Sequence, residues 1–424
     1  MTIHADSRGF DAKARPLPFK LINRALGAAG AFGALPRLEP GRLVEDAIRS
    51  TGLSDFGEDD FSEPLRILCR SIEDEARLHP LGRLIIHGRL KGALTTRLRA
   101  EAIIKERPEI LTIPIKAPIV IAGLQRTGTT MLHRLLASDP RVRSLASWEA
   151  LSPVPAEALG RPPREGERRD RDPRVRTAML AELGLRVMAP EFFAIHPVEA
   201  DAPEEDVILL DLAFRSTAPE ATMHVPSYAR FLESDDPLPA YRYLRRMMQL
   251  LSYQYPRARW VLKTPHHLEF LDALVEVFPD AKIIQTHRDP RKTTASFANM
   301  VAHGRAVFSD EVDPIEVGQH WGRKIRRMVE RGIESRETNP EMQILDVSYY
   351  DLLREPIAEV RRIFEFAGLS FERGTEEALE RTRERNPQGK YGKHAYRLED
   401  FGLDEAWVEA NLGAYRARFD IPFE

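Results

Sequence analysis

A short apolar run, Ile119, Val120, Ile121, Ala122 and Gly123, passes directly into Leu124-Gln125-Arg126-Thr127-Gly128-Thr129-Thr130 and then into the helical string MLHRLLA. An uninterrupted apolar run of this length suits a strand buried on both faces. Gly123 and Gly128 permit a tight path out of it. The first amides of the following helix lack intrahelical partners and gather partial positive charge. The amides of Thr127, Gly128, Thr129 and Thr130, with the two threonine hydroxyls at 129 and 130, therefore make a phosphate cradle. Its spacing matches G-x-x-x-x-G-K-[ST] except that Thr129 stands where lysine is needed, while Arg126 sits inside the loop. Without that lysine a nucleoside triphosphate loses a contact to its terminal phosphates. The altered cradle suits a single 5′-phosphate carrying one further anionic group.

Three more apolar runs follow at 259–262, 281–284 and 341–347, with helical patterns between them, such as 267–278 and 313–331. Strands alternating with helices predict an α/β fold, a central parallel sheet covered on both faces in a P-loop-like three-layer sandwich. Residues 140–257 hold no strand-like run and read as a largely helical insertion, placed where an α/β protein builds a substrate lid. Within it, 161–176 packs seven arginines among four acids and reads as a solvated loop, whereas 203–215 and 238–253 read as amphipathic helices. Residues 1–116 carry apolar positions at helical spacing over 42–50, 61–79 and 80–105. The expected organisation is a helical N-terminal extension over 1–116, serving as a cap or a homo-oligomer surface, and an α/β domain over 117–424.

The formal net charge is −3, so no global field draws the chain to nucleic acid or an anionic membrane, and any anion site must be local. A single cysteine, Cys69, excludes an intramolecular disulfide framework and Cys-based zinc sites, and fits a reducing compartment. No stretch reaches the roughly 18 apolar residues of a membrane span. Residues 21–36 come closest, but Asn23 and Arg24 interrupt them, and the leader before them includes Asp6 and Asp11, which suits a signal peptide poorly. This segment reads as a docking helix or a cover over something apolar, and the expected location is cytoplasmic.

The loop resembles the 5′-phosphosulfate loop of sulfotransferases that use 3′-phosphoadenosine 5′-phosphosulfate (PAPS). A second string, Lys282 to Pro290 followed by Arg291 to Ser296, is similar to that family's 3′-phosphate motif, with Arg288 ending a strand and Ser296 eight residues later. A guanidinium fork and a hydroxyl on the next helix can clamp a phosphate. Trp260 to Leu268 resembles the strand that carries lysine and histidine beside the transferred sulfuryl group, and Asp346 to Leu353 resembles the segment whose tyrosine, here Tyr349, lies near the nucleotide. Gly389, Lys390 and Lys393 match the basic loop that closes over the 3′-phosphate. The resemblance spans about 117–402, is nearest the bacterial branch with a helical N-terminal extension, and leaves 1–116 unexplained.

The resemblance implies PAPS as donor, 3′-phosphoadenosine 5′-phosphate (PAP) as product, no metal, and transfer of a sulfuryl group to a hydroxyl of a small acceptor. The aromatic and Met content of the insertion, Phe192, Phe193, Phe214, Tyr228, Phe231, Met247 and Met248, favours an apolar acceptor such as an alcohol, phenol, sterol or lipid. Arg126 and Lys263 are the expected donors to the oxygen that gains charge as the bond to sulfur breaks. A lysine ending an apolar strand is costly to bury unless an anion faces it. The general base stays open among Glu205, His267, Glu149 and His196: the animal enzymes place histidine two residues after the strand lysine, and Pro265 stands there here. Glu205 and its acidic neighbours could equally complement the positive end of a helix. A P-loop kinase or NTPase, and a nucleotide-binding protein without catalysis, are the competing classes.

Overall fold

The computed structural model describes residues 10–30, 35–155, 172–256, 259–386 and 396–424. The predicted apolar runs become β1 (Ile119–Ile121), β3 (Arg259–Lys263), β4 (Lys282–His287) and β5 (Ile344–Ser348), joined by a strand the sequence reading did not expect, β2 (Val142–Ser144). All pair in parallel, in the order β2-β3-β1-β4-β5. The expectation of no strand within 140–257 is thus corrected. β2 is three residues long with Arg143 at its centre, and the pairing Ser144↔Val261 on the sheet edge supports it where apolar patterning does not.

The chain begins with α1 (Leu17–Gly30), α2 (Pro40–Thr51), α3 (Ser62–Glu75) and α4 (Pro80–Glu106); the helix after the glycine loop is α5 (Thr129–Leu136). The insertion supplies α6 (Ser147–Leu151), α7 (Pro173–Met188), α8 (Pro190–Ile195), α9 (Val207–Leu210), α10 (Ala218–Thr222), α11 (Pro226–Ser234) and α12 (Leu238–Gln254). Then come α13 (Leu271–Val277), α14 (Pro290–Ala306), α15 (Pro314–Thr338), α16 (Tyr349–Arg354), α17 (Pro356–Phe366), α18 (Arg373–Arg385) and α19 (Glu405–Arg418). Two helices expected from periodicity are shorter than their patterns. The one over 203–215 begins only at Val207, because an antiparallel bridge and a backbone bond to the chain just beyond β2 hold 203 and 204 out of helix, and that over 267–278 divides at the non-helical Phe270 into a 3-10 turn (Pro265–Glu269) and α13.

Strand residues alternate between two apolar layers. Ile119, Ile121, Val261, Ile284 and Val347 face α5, α16 and α17, burying Leu132, Leu136, Leu352 and Phe364. Val120, Leu262 and Ile283 face the other way, against Met247, Met248, Leu274, Phe297 and Trp321 from α12 to α15. The result is the expected three-layer sandwich. A further core joins Leu43, Leu65, Leu68, Ile86 and Leu94 of α2 to α4 with Met223, Val225, Tyr228 and Leu232, so the N-terminal helices pack on the insertion. β1 lies between β3 on one side and β4 on the other. Chain direction of travel across the sheet reverses there, which opens a crevice beyond the carboxyl ends of these strands.

Candidate active site

The glycine loop leaves β1 at the floor of that crevice. A Cβ on Gly123 would stand 2.0 Å from Thr286 Oγ1, so only glycine lets the end of β1 approach β4 this closely. The Thr127 hydroxyl locks the turn, lying 2.6 Å from the Leu124 carbonyl oxygen and 2.5 Å from Thr286 Oγ1. Arg126 (φ 68°) and Gly128 (φ 85°) both take the left-handed conformation that turns the chain into α5.

Arg126 and Arg288 converge. Arg126 Nε donates to Ser296 Oγ at 3.0 Å, and Arg288 Nη1 donates to the Arg126 carbonyl at 3.0 Å. The Arg288 guanidinium lies 4.1 Å over the Tyr349 ring and makes a bidentate pair, 2.7 and 2.6 Å, with the Glu424 side chain. A carboxylate therefore sits on the arginine fork that the sequence assigned to a phosphate. Burial pushes the Arg126 pKa down, and the positive Arg288 adds to this. An anion at this corner would relieve both.

The other side of the crevice is formed by the segment 203–206. An antiparallel bridge between Ala146 and Pro203, and a bond from Glu204 N–H to the Leu145 carbonyl at 2.8 Å, seat it beyond β2. Glu204 accepts from Ser147 Oγ (3.1 Å) and from the Glu205 amide (2.9 Å), fixing the next residue. Glu205 Oε1 then lies 2.5 Å from Lys263 Nζ at the end of β3, with Lys263 only 3% exposed and Glu205 20%. Asp206 accepts from the Lys263 amide at 2.8 Å and sits 2.8 Å from His267 Nε2. Tyr241 Oη lies 2.9 Å from the other ring nitrogen of His267. Burial alone would raise the Asp206 carboxyl, but His267 and the Lys263 amide hold it below the usual range.

One cavity of about 950 Å³ brings the two sides together. Arg126, Gly128, Thr129, Thr130, Lys263, Glu204, Glu205, His196, Arg288 and Tyr349 all line it, with apolar walls from Ala194, Ile195, Pro265 and Met300. Of the base candidates, Glu205 and His196 face this space. His267 is fully buried between Asp206 and Tyr241 and does not line it. Glu149 is also fully buried, in a bidentate pair with Arg143 at 3.0 and 2.8 Å, and ties α6 to β2. Its placement serves the sheet edge. Gly389, Lys390 and Lys393 lie outside the described residues, as do most of 161–176.

Sequence reasoning missed Glu424, 136 positions from Arg288, and Arg134, which lines the cavity while paired with Glu199 at 2.8 Å. Arg134 follows the loop by one helical turn, a signal that was available. Glu424 offered none. Among the described residues no group of three or more His, Cys, Asp or Glu side chains is placed to hold a metal ion.

The profile of the sulfotransferase family matches residues 118–373. Sulfotransferase STF1 from Mycobacterium tuberculosis H37Rv, a crystal structure, is 32% identical with a TM-score of 0.77 over 88% of this chain and 98% of its own. Sulfotransferase STF9 from Mycobacterium avium is 29% identical with a TM-score of 0.82 over 91% and 98%. A curated relative, omega-hydroxy-beta-dihydromenaquinone-9 sulfotransferase Stf3 of Mycobacterium bovis, is 26% identical over 281 residues, 61% of this chain. The chain spans just under two thirds of that relative's length, 64%. A family profile that covers all five strands and most of the cavity lining, together with these alignments, makes the protein a member of the sulfotransferase family.

Proposed function

We propose that the protein moves the sulfuryl group of PAPS to a hydroxyl of a small apolar or amphiphilic acceptor by in-line transfer. The observation that carries this reading is the meeting of a lysine–glutamate pair, a phosphate loop and two arginines, Arg126 and Arg288, around one cavity. Its volume, about 950 Å³, suits a nucleotide and a small acceptor.

The loop amides, with Thr129 and Thr130, take the 5′-phosphate. Arg288, Ser296 and Arg126 take the 3′-phosphate, which displaces the Glu424 carboxylate from the fork. Because Arg126 already donates to Ser296, it acts in this clamp, and Lys263 is left as the cation beside the transferred group. Glu205 is the base. It accepts the acceptor's hydroxyl proton while the acceptor oxygen bonds to sulfur, and the bond from sulfur to the 5′-phosphate oxygen breaks with its electron pair going to that oxygen. Lys263 orients the Glu205 carboxylate through their 2.5 Å pair before acceptor binding and then answers the charge on the departing oxygen. A well-placed donor of this kind contributes about 3–4 kcal/mol. The name of the Stf3 relative contains a hydroxylated menaquinone, and the apolar walls here fit an acceptor with a hydrocarbon body.

The test is a labelled-donor assay against phenols, sterols, aliphatic alcohols and hydroxylated prenylquinones. Label transfer to at least one acceptor, with PAP released in equal amount, supports the reading. A thermal shift with magnesium ATP and none with PAP would replace it with the kinase reading.

A further inference from the structure

The cavity has an unusual neighbour. Among the described residues, seven of the fourteen large apolar side chains that stand exposed belong to α1 and α7, helices of only 14 and 16 residues. On α7 these are Met179, Leu180, Leu183 and Val187, between 50 and 70% exposed. Their spacing gathers them into one stripe. On α1 the exposed positions Leu17, Leu21, Ala25 and Ala28 make a second stripe, with Ile22 beside it. Each helix buries a single residue, Phe19 and Ala178 respectively. Propensity and inward packing alone do not account for so much outward apolar surface.

The exposed charges on these helices have one sign. α1 exposes Lys20 and Arg24 and contains no acid. α7 exposes Arg176 and Arg186, and its one acid, Glu182, is half-buried and occupied by Arg186 (2.6 Å) and the Ala200 amide (2.9 Å). The start of α1 and the end of α7 border one cavity of about 360 Å³, lined by Pro16 and Lys20 on one side and by Met188 and the following Ala189 to Phe192 on the other. Among the described residues, two acids line this seam: Asp11, whose carboxylate caps the Lys13 amide, and Glu191, whose pKa burial raises. The six-residue α8 links the seam to the main cavity, which it lines with Ala194 and Ile195.

We propose that α1 and α7 form a docking face for an anionic phospholipid surface, on which the protein rests while an amphiphilic acceptor enters along α8. An apolar stripe flanked by lysine and arginine is the pattern of a helix lying in the membrane interface. Acidic lipid headgroups complement Lys20, Arg24 and Arg176, whereas Arg186 already pairs with Glu182. The docking face assigns a partner independently of the transfer chemistry, and its test needs no donor.

Purified full-length protein is floated with vesicles of phosphatidylcholine alone and of phosphatidylcholine containing about 30% phosphatidylglycerol. The expected result is flotation with the anionic vesicles, weakened by high salt. The paired substitutions Leu180→Glu with Leu183→Glu, and Leu17→Glu with Leu21→Glu, should each weaken it about tenfold or more. Because these side chains are exposed, an unchanged melting temperature and an unchanged PAP-induced shift report that each variant is folded. Absence of flotation for the unmodified protein overturns the proposal. So does flotation that both variants retain. A dimer in sedimentation velocity that the substitutions dissociate, without vesicle binding, assigns the face to a second copy instead.

Discussion

Replacing Glu205 by glutamine keeps the size of the side chain and an acceptor oxygen but removes the negative charge 2.5 Å from the Lys263 ammonium. At an effective dielectric near 20, two unit charges at that separation attract by roughly 6–7 kcal/mol before desolvation is subtracted. Glu205 is a fifth exposed, so solvent screens part of this. The net loss of stability on removing one charge should be about 2 kcal/mol, below the range for a fully buried pair. The loss of rate should be larger. A positioned base contributes about 10²–10⁴, or roughly 3–5 kcal/mol of barrier. Initial rates with labelled donor should therefore show kcat down at least about a hundredfold, while calorimetric titration shows PAP affinity within about threefold. Glu204→Gln is the matched control, because Glu204 bonds Ser147 and the Glu205 amide rather than the lysine. Its loss should stay within about tenfold. If Glu205→Gln keeps more than about a tenth of the original turnover, a different group takes the proton.

Lys263→Met should depress kcat by about 10²–10³ with little effect on PAP binding; equal losses in kcat and PAP affinity would make the lysine a donor-binding residue instead. Glu424→Gln removes the carboxylate from the Arg288 fork. Because this pair is partly exposed, PAP should bind only about two- to fivefold tighter, and Arg288→Ala should weaken PAP at least about thirtyfold, both by calorimetry. Unchanged affinity in Arg288→Ala would remove the clamp. Acid should destabilise the fold early. Burial pushes both His133 and His266 down to about 3, with positive Lys263 adding to the first and His267 to the second. The unfolded state takes up these protons from about pH 6.5 downward while the folded state does not, so stability falls with decreasing pH through that window toward pH 3. Two such groups give about 2.7 kcal/mol per pH unit once well below the unfolded pKa. Urea melts between pH 7 and 5 would show it. A flat profile would mean that the two imidazoles accept protons in place.

What could be read from the sequence was whatever is enforced locally. The glycine loop is legible because its chemistry is set by ten consecutive residues and needs no partner from elsewhere. The buried strands declare themselves as apolar runs because both faces are covered. β2 does not, since Arg143 occupies its centre and becomes tolerable only through Glu149 and the Trp260 ring 4.6 Å from its guanidinium. That is a tertiary fact. The same holds for the base candidates. His267 and Glu205 look equivalent in one dimension, and only the fold reveals that Asp206, the neighbour of one, occupies the other.

That arrangement also explains why two adjacent acids take different tasks. Asp206 is fully buried, and its carboxylate holds the Lys263 amide and faces His267, so the end of β3 and the start of α9 move as one body. Glu205 stands one residue earlier, before the helix begins, and lines the cavity. Had α9 started at Pro203, as periodicity predicts, residues 205 and 206 would lie about 100° apart around its first turn, and both carboxylates would compete for its positive end. The Ala146–Pro203 bridge and the bond from the Glu204 amide to the Leu145 carbonyl keep 203–204 out of regular helix. They thereby allow an inward acid to pin the lysine's backbone while its neighbour meets the lysine's ammonium.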